Sequence, residues 1–308
     1  MKVLITGSNG FVGKELSDFF KLNGIDHKCL TRKPQCLDSD QKYVLLDDFY
    51  CVESWVEVLK DIDVVVHLIA KTHNNFDNTK NSLEEYRNIN VKITEALCKA
   101  IKKSVVRRLV FLSSIKVNGE STNQNQPFNE NTIPRPEDNY GKTKLEAEEV
   151  IKKEFSNSEK EYAIIRAPLL YSPENLKGNL ELLEKIIRKG IPLPLGAIKN
   201  QRSMLELKTL CEFISACLSR IESTNKIFLV SNNEKYSTPE IIKKIANDIS
   251  ISPKIFPFPE KLLKLFFLII GKKGLSKKLL SNLEIDNKSA SKIISLSIEK
   301  NEKSYRSL

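Results

Sequence analysis

The chain has 308 residues, of which 41% are hydrophobic and 29% charged, and its formal net charge is +10. This composition indicates a globular protein with a large core, organised as one domain and a smaller lobe. The six cysteines are scattered without a CxxC pair, and we interpret them as reduced, mostly packed thiols that form neither a disulfide framework nor a metal site. Lysines alternate with acidic residues along predicted helices and form no concentrated basic tract, so we predict no nucleic-acid partner.

Two features of the sequence indicate where in the cell the protein is found. Met1 leads directly into an apolar strand, without the basic region and cleavage site of a signal peptide, so we expect a cytoplasmic protein. The longest apolar run, LLKLFFLIIG at 262–271, contains Lys264 and is shorter than the ~20 residues that an integral membrane helix needs. We interpret this helix (262–270) as a buried helix face, with contact to a membrane surface as the alternative.

The first predicted element is a short strand, Val3 to Ile5, which leads through a glycine-rich turn into an amphipathic helix. Glycines allow the backbone to reverse tightly here and to approach a pyrophosphate, whose charge is favoured at a helix N-terminus. The position of the turn between strand and helix therefore predicts a dinucleotide site. The residues assigned to it are Gly7, Asn9, Gly10, Phe11, Val12 and Gly13.

Strands and helices then alternate along the N-terminal half. The strands are HKCLTR, KYVLLDD, DVVVHLIA and RRLVFLSS, and the helices include WVEVLKDI and NINVKITEALCKAIKKS. Strands rich in Val, Ile and Leu that alternate with helices indicate an α/β fold with a doubly wound parallel sheet of the Rossmann type. Ligands of such sheets bind beyond the carboxyl ends of the strands, so the residues that end the strands are site candidates.

The residues that end the second and third strands bear on the cofactor. Arg32 and Lys33 follow the second strand with no acid before Asp38. A base here suits the 2′-phosphate of NADP, whereas NAD pairs with an acid, so we favour NADP over NAD; stacking of Arg32 on adenine is the alternative. Asp47 or Asp48, at the end of the third strand, is placed to accept a hydrogen bond from the adenine amino group; we favour Asp48, because Asp47 can cap the segment. Further cofactor contacts are assigned to Phe49, Leu68, Ala70, Lys71 and Pro168.

His67 lies within an apolar strand, and we interpret it as a packed core residue. The other two histidines are His27 and His73, and no histidine, cysteine or acidic cluster has metal-ligand spacing. We therefore predict no metal site.

The segment NYGKTKLEAEEVIKK, residues 139–153, begins as a loop and continues as an amphipathic helix. Tyr140 and Lys144 are four residues apart, so they share one helical face. A phenol with a pKa of about 10 is a poor acid or base at neutral pH, but an adjacent ammonium lowers that pKa. We expect Lys144 to bring Tyr140 into the range for proton transfer. A surface tyrosine and a solvated lysine are the alternative.

Five motifs follow one another in the chain: TGSNGFVG, HLIA, NINV, FLSSIKVNG and YGKTK. In order and spacing they resemble the extended short-chain dehydrogenase/reductases, the family of nucleotide-sugar epimerases, dehydratases and reductases. The resemblance covers nearly the whole chain. It implies Ser114, Tyr140 and Lys144 as the catalytic triad and Asn90 as a cofactor-side residue. In these roles Ser114 hydrogen-bonds the reacting oxygen, Tyr140 exchanges its proton, and Lys144 holds the nicotinamide ribose.

The second half of the chain begins with a further strand, YAIIRAPLLY, ending at Ala167 and Pro168, and then becomes less regular. We predict a nucleotide-binding domain at residues 1–168. Residues 169–308 are predicted to form a mainly substrate-binding lobe, parts of which can return to the sheet. By the resemblance, a homodimer forms through the helices that carry NINVKITEALCKAI and YGKTKLEAEEV.

The substrate-binding residues also follow from the resemblance. Asn179 opens a helix and Arg202 lies in NQRS, and both match positions that contact a substrate diphosphate. A guanidinium suits this role because it binds phosphate through two parallel hydrogen bonds. Lys71, Ser114 and Tyr140 complete the predicted set for a UDP-sugar substrate.

The motifs KGN, IPLPLG, NQRS and FPFPEKLLKL resemble the UDP-N-acetylquinovosamine 4-dehydrogenases of O-antigen and capsule synthesis. This resemblance implies an NAD(P)-dependent oxidoreductase that reduces the C4 ketone of a UDP-2-acetamido-2,6-dideoxyhexose. A UDP-glucose or UDP-GlcNAc 4-epimerase is the first alternative, because it uses the same Ser, Tyr and Lys. A non-catalytic nucleotide-sensing or RNA-associated protein on the same fold is the second.

Overall fold

The computed structural model describes residues 1–32, 43–72 and 82–295, and Lys33, Asp38 and His73 lie outside these ranges. The strands are β1 (Val3–Thr6), β2 (His27–Thr31), β3 (Tyr43–Leu45), β4 (Val64–His67), β5 (Arg108–Ser114), β6 (Glu161–Ala167), β7 (Leu169–Tyr171), β8 (Arg202–Glu206), β9 (Lys226–Leu229) and β10 (Lys235–Tyr236). The α-helices are α1 (Phe11–Leu22), α2 (Val52–Val58), α3 (Ser82–Arg87), α4 (Ile93–Lys102), α5 (Asn139–Phe155), α6 (Asn179–Arg188), α7 (Leu207–Cys217), α8 (Thr238–Asp248), α9 (Glu260–Ile269) and α10 (Lys273–Leu280).

Within the described ranges, seven parallel strands form the main sheet in the order β3-β2-β1-β4-β5-β6-β9. The register places Val3 of β1 opposite His27 of β2, and Thr6 of β1 opposite His67 of β4. The strand order reverses between β1 and β4, which leaves a crevice open beyond their carboxyl ends. The predicted doubly wound parallel sheet is confirmed.

Helices cover both faces of this sheet. On one face, α1 and α7 pack over the strands around Leu16, Phe20 and Phe213. On the other face, α2, α4 and α5 pack around Trp55 and Ile151. Each of these side chains is almost completely buried, and burial of one such group stabilises the fold by about 1.5–3 kcal/mol. The sheet is therefore a rigid platform whose strand ends hold the loops of the site.

The predicted helix NINVKITEALCKAIKKS is interrupted near its start. A π-helical turn, Asn88–Lys92, joins α3 to α4. Such turns insert one residue into a helix and are frequent at functional sites. Here the turn contains Asn90, whose side chain is almost completely buried.

A smaller sheet, β10-β8-β7, lies in the second half of the chain. The side chains of Tyr171, Leu180, Ile242 and Leu263 form the core between this sheet and helices α6, α8 and α9. The segment LLY at the end of the last predicted strand is the separate strand β7 in this sheet. Pro168 divides β6 from β7 because it has no N–H with which to continue the ladder.

Segments from the second half also return to the main sheet. Helix α7 contributes to the core on the α1 face, and β9 pairs with β6 through Ala163 opposite Lys226. The division of the chain at residue 168 stays a prediction. Helix α7 and strand β9 follow this residue in the sequence, but they pack with the main sheet.

Only one side of the apolar run at 262–271 is the buried helix face that we predicted. In α9, Leu263 and Phe267 are buried in the core of the lobe, whereas Phe266 is 55% and Ile269 74% exposed. A single surface helix buries only one stripe of side chains, and this run is apolar around most of the helix. None of the helices in residues 1–32, 43–72 and 82–295 has the length and apolarity needed to cross a membrane.

Candidate active site

The glycine turn after β1 leaves space that side chains would fill. Gly7 has φ +72°, and a Cβ there would lie 3.0 Å from the backbone N of Ile69. A Cβ on Gly13 would lie 2.3 Å from the Gly7 carbonyl oxygen, so only glycine lets α1 start against the turn. Gly10 caps α1, whose first turn holds no acidic residue. The turn and the helix N-terminus therefore fit a pyrophosphate, and Asn9, Phe11 and Val12 lie in the same segment.

The predicted adenosine end of the site lies beside the ends of β2 and β3. Arg32 is exposed directly after β2, and its guanidinium carbon lies 6.0 Å from the centre of the Phe49 ring. Asn9 donates a hydrogen bond of 3.2 Å to the threonine hydroxyl that ends β2. Asp48 is exposed, and its Oδ1 accepts the Tyr50 backbone N–H at 2.8 Å. The fold thus brings four predicted cofactor residues to one edge of the sheet.

Ser114 and Tyr140 meet where β5 ends and α5 begins. Ser114 is the last residue of β5, Tyr140 lies in the first turn of α5, and their hydroxyls share a hydrogen bond. The Asp138 carboxylate caps α5 by accepting the Gly141 N–H at 2.7 Å. This cap fixes the first turn of α5, and with it the orientation of the phenol.

The pKa of Tyr140 is shifted in the direction opposite to our expectation. Burial raises the pKa of Tyr140 to about 12, the Asp138 carboxylate adds to the rise, and the Ser114 hydrogen bond opposes it. The predicted lowering of this pKa by Lys144 is therefore wrong. Tyr140 is a protonated phenol at neutral pH.

Lys144 is buried in an apolar setting, which explains why it does not lower the pKa of the phenol. Its Nζ lies 4.0 Å from the centre of the Phe111 ring. Burial lowers the pKa of Lys144 to about 7, and the Glu148 carboxylate one turn further along α5 opposes that shift. An amine that loses its charge near neutral pH gives a phenolate little support.

A buried ionic network, which we did not predict from the sequence, holds α5 against the sheet. Glu148 Oε1 accepts from Ser113 Oγ at 2.5 Å and from Arg166 Nε at 3.0 Å, while Oε2 accepts from Arg166 Nη2 at 2.6 Å. Arg166 Nη1 also donates to Asn118 Oδ1 at 3.1 Å. Loss of one partner from such a pair costs about 3–5 kcal/mol. The signal in the sequence was an arginine inside the apolar strand YAIIRAP.

Two buried polar residues connect the end of β4 to the helices beside it. Asn90 Oδ1 accepts the Lys71 backbone N–H at 2.7 Å, and its Nδ2 donates to Thr143 Oγ1 at 3.0 Å. His67 lies between two threonine hydroxyls at 2.7 and 3.1 Å, and burial and the nearby Lys144 lower its pKa to about 3. The interpretation of His67 as a core residue is confirmed. Asn90 thus links the segment after β4 to α5, and its role towards a cofactor stays a prediction.

Three basic side chains gather near the first turn of α5. Lys116 forms ion pairs with Asp138 and with Glu120, the latter at 3.1 Å. Burial lowers the pKa of Arg202 to about 10, and its Nη1 donates to the carbonyl at the end of α10 at 3.0 Å. Burial also lowers the pKa of Lys278; nearby Lys116 and Arg202 lower it further, whereas Glu120 and Asp138 raise it. Lys116 and Arg202 therefore each lie near Lys278, in a group that also contains these two carboxylates; of the three basic residues we predicted only Arg202 from the sequence.

The remaining predicted residues lie on the strand ends and on the lobe. Asn179 is exposed at the first position of α6. Lys71 pairs with Glu85, and its Nζ lies 5.3 Å from the centre of a tyrosine ring. Leu68 and Ala70 follow β4, and Pro168 is buried directly after β6. Their contacts with substrate or cofactor stay predictions.

Known proteins resemble this chain in sequence and in fold. Residues 3–230 match the profile of the NAD dependent epimerase/dehydratase family. A UDP-glucose 4-epimerase from Vibrio cholerae is 34% identical over 286 residues, which cover 92% of this chain and 87% of the relative. An N-acetyl-α-D-glucosaminyl-diphospho-ditrans,octacis-undecaprenol 4-epimerase from Escherichia coli O157:H7 is 26% identical, with 83% and 76% covered. The crystal structure of a UDP-N-acetylglucosamine 4-epimerase from Bacillus cereus has a TM-score of 0.74 at 20% identity, covering 96% of this chain and 92% of that one.

The parallel sheet, the glycine turn and the match over three quarters of the chain define a class of enzymes that use a nicotinamide dinucleotide. The chain belongs to the NAD dependent epimerase/dehydratase family. The family resemblance inferred from the five motifs is confirmed.

Proposed function

We propose that this enzyme transfers hydride at C4 of the sugar of a UDP-sugar, with Ser114, Tyr140 and Lys144 as its catalytic residues. The observation that carries the proposal is the hydrogen-bonded pair of Ser114 and Tyr140 at the carboxyl end of the sheet. The Vibrio cholerae relative, named for a UDP-glucose substrate, supports the substrate class. Arg202 and Lys278 are the basic residues of this group that suit a diphosphate, because Lys116 is already paired with Asp138 and Glu120.

Each catalytic side chain has its own task. The Ser114 hydroxyl holds the sugar O4, and Tyr140 gives O4 its proton or takes it away. Lys144 binds the nicotinamide ribose and, when protonated, favours the phenolate. The glycine turn and the N-terminus of α1 hold the pyrophosphate of the dinucleotide. A bound nicotinamide would supply or accept the hydride.

Two observations favour reduction of a C4 ketone. Tyr140, with a pKa of about 12, remains a phenol and is therefore ready to act as an acid towards a ketone oxygen. Arg32 is exposed directly after β2, and a base at this position supports binding of NADPH, whose 2′-phosphate it suits. The reduction adds a hydride to C4 and the Tyr140 proton to O4, after which the phenolate takes a proton from water. We therefore favour a 4-ketoreductase of a UDP-2-acetamido-2,6-dideoxyhexose.

The second candidate is a UDP-hexose 4-epimerase, and the relatives favour it at least as strongly. Those from Vibrio cholerae and Escherichia coli are both named 4-epimerases. In epimerisation Tyr140 first takes the O4 proton, and after the sugar has turned over it returns a proton to the same oxygen. The hydride leaves C4 and comes back to the opposite face, so no net oxidation occurs.

Nuclear magnetic resonance of the products distinguishes the two reactions. We expect stoichiometric consumption of NAD(P)H with a UDP-4-keto-6-deoxy-HexNAc, and no interconversion of UDP-GlcNAc with UDP-GalNAc or of UDP-glucose with UDP-galactose. A Tyr140→Phe sample serves as the control for uncatalysed reactions. Epimer formation without net cofactor oxidation would instead establish the epimerase.

Arg32→Asp tests the preference for NADP. We expect the KM for NADPH to rise at least ~10-fold more than the KM for NADH, because a charged hydrogen bond to phosphate contributes about 1.5–3 kcal/mol. The matched variant Arg32→Gln keeps a planar group over Phe49 and removes only the charge. Equal changes for both cofactors would show that Arg32 serves only as a platform for adenine.

Two expectations about partners remain predictions. A homodimer through α4 and α5 is testable by sedimentation equilibrium, with a doubled mass as the expected result. The absence of a nucleic-acid partner is testable by retention of RNA at low salt, since binding to phosphates weakens steeply as salt rises.

A further inference from the structure

Helix α9 presents an apolar stripe to the solvent. Leu262, Leu265, Phe266 and Ile269 follow the spacing i, i+3, i+4 and i+7, and each is more than half exposed. We call these four side chains the α9 face. The opposite side of the helix is anchored in the lobe by Leu263, which is buried. The α9 face is therefore a contiguous apolar surface held on a folded support.

The segment that carries the α9 face is mostly basic. Residues 260–280 contain six lysines and a single acid, Glu260. Lys261 and Lys264 are exposed on α9, and Lys272 is exposed in the turn that leads into α10. Glu260 is paired with Lys264 at 2.5 Å. Because Lys261 and Lys264 lie on the same side of the helix, the apolar stripe has a basic border along that side.

We propose that the α9 face docks the protein on an anionic membrane surface. A helix that combines an exposed apolar stripe with lysines lies in the plane of a bilayer, its stripe buried ~5–10 Å at the boundary between headgroups and acyl chains. Anionic headgroups attract lysines placed at this depth. The ten residues of α9 span about 15 Å, so the helix lies on the bilayer and does not cross it.

Charge distinguishes a membrane from a second copy of the chain as the occupant. A two-fold symmetric contact through the α9 face would place Lys261, Lys264 and Lys272 of one copy near the same lysines of the other. Like charges facing each other disfavour such a contact, whereas anionic lipid neutralises them. The membrane is thus the partner whose chemistry matches both the stripe and its border.

Helix α10 connects α9 to residues near the candidate active site. Helix α10 follows α9 after a short turn, and its Lys277 forms an ion pair with Glu137, three residues before Tyr140. The next residue, Lys278, is coupled to Lys116 and Arg202. The inference does not depend on which reaction the site catalyses.

Vesicle sedimentation of the purified full chain tests this proposal. We expect binding to vesicles of phosphatidylglycerol and phosphatidylcholine that weakens with salt, and little binding to phosphatidylcholine alone. Phe266→Glu and Ile269→Glu should each weaken binding at least ~10-fold. Each change removes an apolar side chain that would insert into the bilayer, and each adds a negative charge that anionic lipid repels. Ile221→Glu, at a residue that is 77% exposed outside the α9 face, is the matched control and should bind as the unaltered chain does.

Several results would overturn the membrane assignment. One is the absence of binding to phosphatidylglycerol vesicles, and another is equal binding by Phe266→Glu and the unaltered chain. A third is a doubled mass in solution that Phe266→Glu reverts, since this would make a second copy the occupant. Thermal unfolding of each variant shows that it is folded, because exposed positions tolerate these changes.

Discussion

Tyr140→Phe should lower kcat at least ~100-fold while the affinity for the dinucleotide stays the same. The phenol is the group that moves the proton at the sugar oxygen, and loss of a positioned general acid typically has this effect. The ring of Phe fills the same space beside Ser114, so the wall of the cofactor site is retained. The measurements are steady-state turnover and titration of the dinucleotide by intrinsic fluorescence.

A control separates this role from a general effect of losing a hydroxyl. Tyr162 lies on β6 at the end of the sheet opposite to the site, so Tyr162→Phe should keep full activity. If Tyr140→Phe retained activity within a few-fold of the unaltered enzyme, Tyr140 would have no part in proton transfer.

Lys144→Met should abolish turnover and at the same time make the protein more stable near neutral pH. Burial lowers the pKa of Lys144 from 10.5 to about 7, and each unit of such a shift corresponds to about 1.4 kcal/mol. Met has a similar length, carries no charge and can pack on the Phe111 ring. We expect the free energy of unfolding in the absence of ligand to rise by roughly 2–4 kcal/mol.

The gain in stability should depend on pH in a defined direction. Between pH 7 and 10.5 the unfolded chain holds the Lys144 proton and the folded chain releases it. The stability that is lost by burying the ammonium is therefore recovered as pH rises through this window. The difference between Lys144→Met and the unaltered protein should be largest at pH 7 and below, and should shrink towards pH 10.

Urea unfolding at pH 6.5 and pH 9.5 measures this dependence. Lys142→Met is the matched control, since Lys142 is exposed on the same helix and its loss should change stability by less than about 0.5 kcal/mol. A lower stability of Lys144→Met at pH 6.5 would mean that the amine is held as a charged partner of Glu148. In that case the low pKa would not describe the free enzyme.

The network of Glu148 and Arg166 shows how function and stability are joined in α5. Both side chains are almost completely buried. Glu148 of α5 accepts hydrogen bonds from Ser113 of β5 and from Arg166 of β6, so it ties the helix to two strands that carry the site. A buried ion pair of this kind adds little to the free energy of unfolding compared with apolar groups of the same size. Its directional hydrogen bonds do, however, fix one position of α5 relative to β5 and β6. That arrangement sets the position of Lys144 one turn away.

Local patterns in the sequence were sufficient for the parallel sheet, the glycine turn and the family. The alternation of apolar strands with helices is a property of neighbouring residues, and it predicted β1, β2, β4, β5 and β6 as strands. Gly13 was recognisable because a turn between a strand and a helix is itself a local feature. The motif order, from the glycine turn to YGKTK, was sufficient for the family because it spans most of the matched residues 3–230.

Only the tertiary structure decided the electrostatics of the site and the exposure of α9. Spacing along a helix predicted that Lys144 would lower the pKa of Tyr140, but burial among groups distant in sequence reversed that direction. The grouping of Lys116, Arg202 and Lys278 joins three segments far apart in the chain. Hydropathy could not show that Phe266 faces solvent, because an apolar run does not specify which of its sides another element covers. These properties depend on which surfaces the fold brings together, and local periodicity carries no information about that.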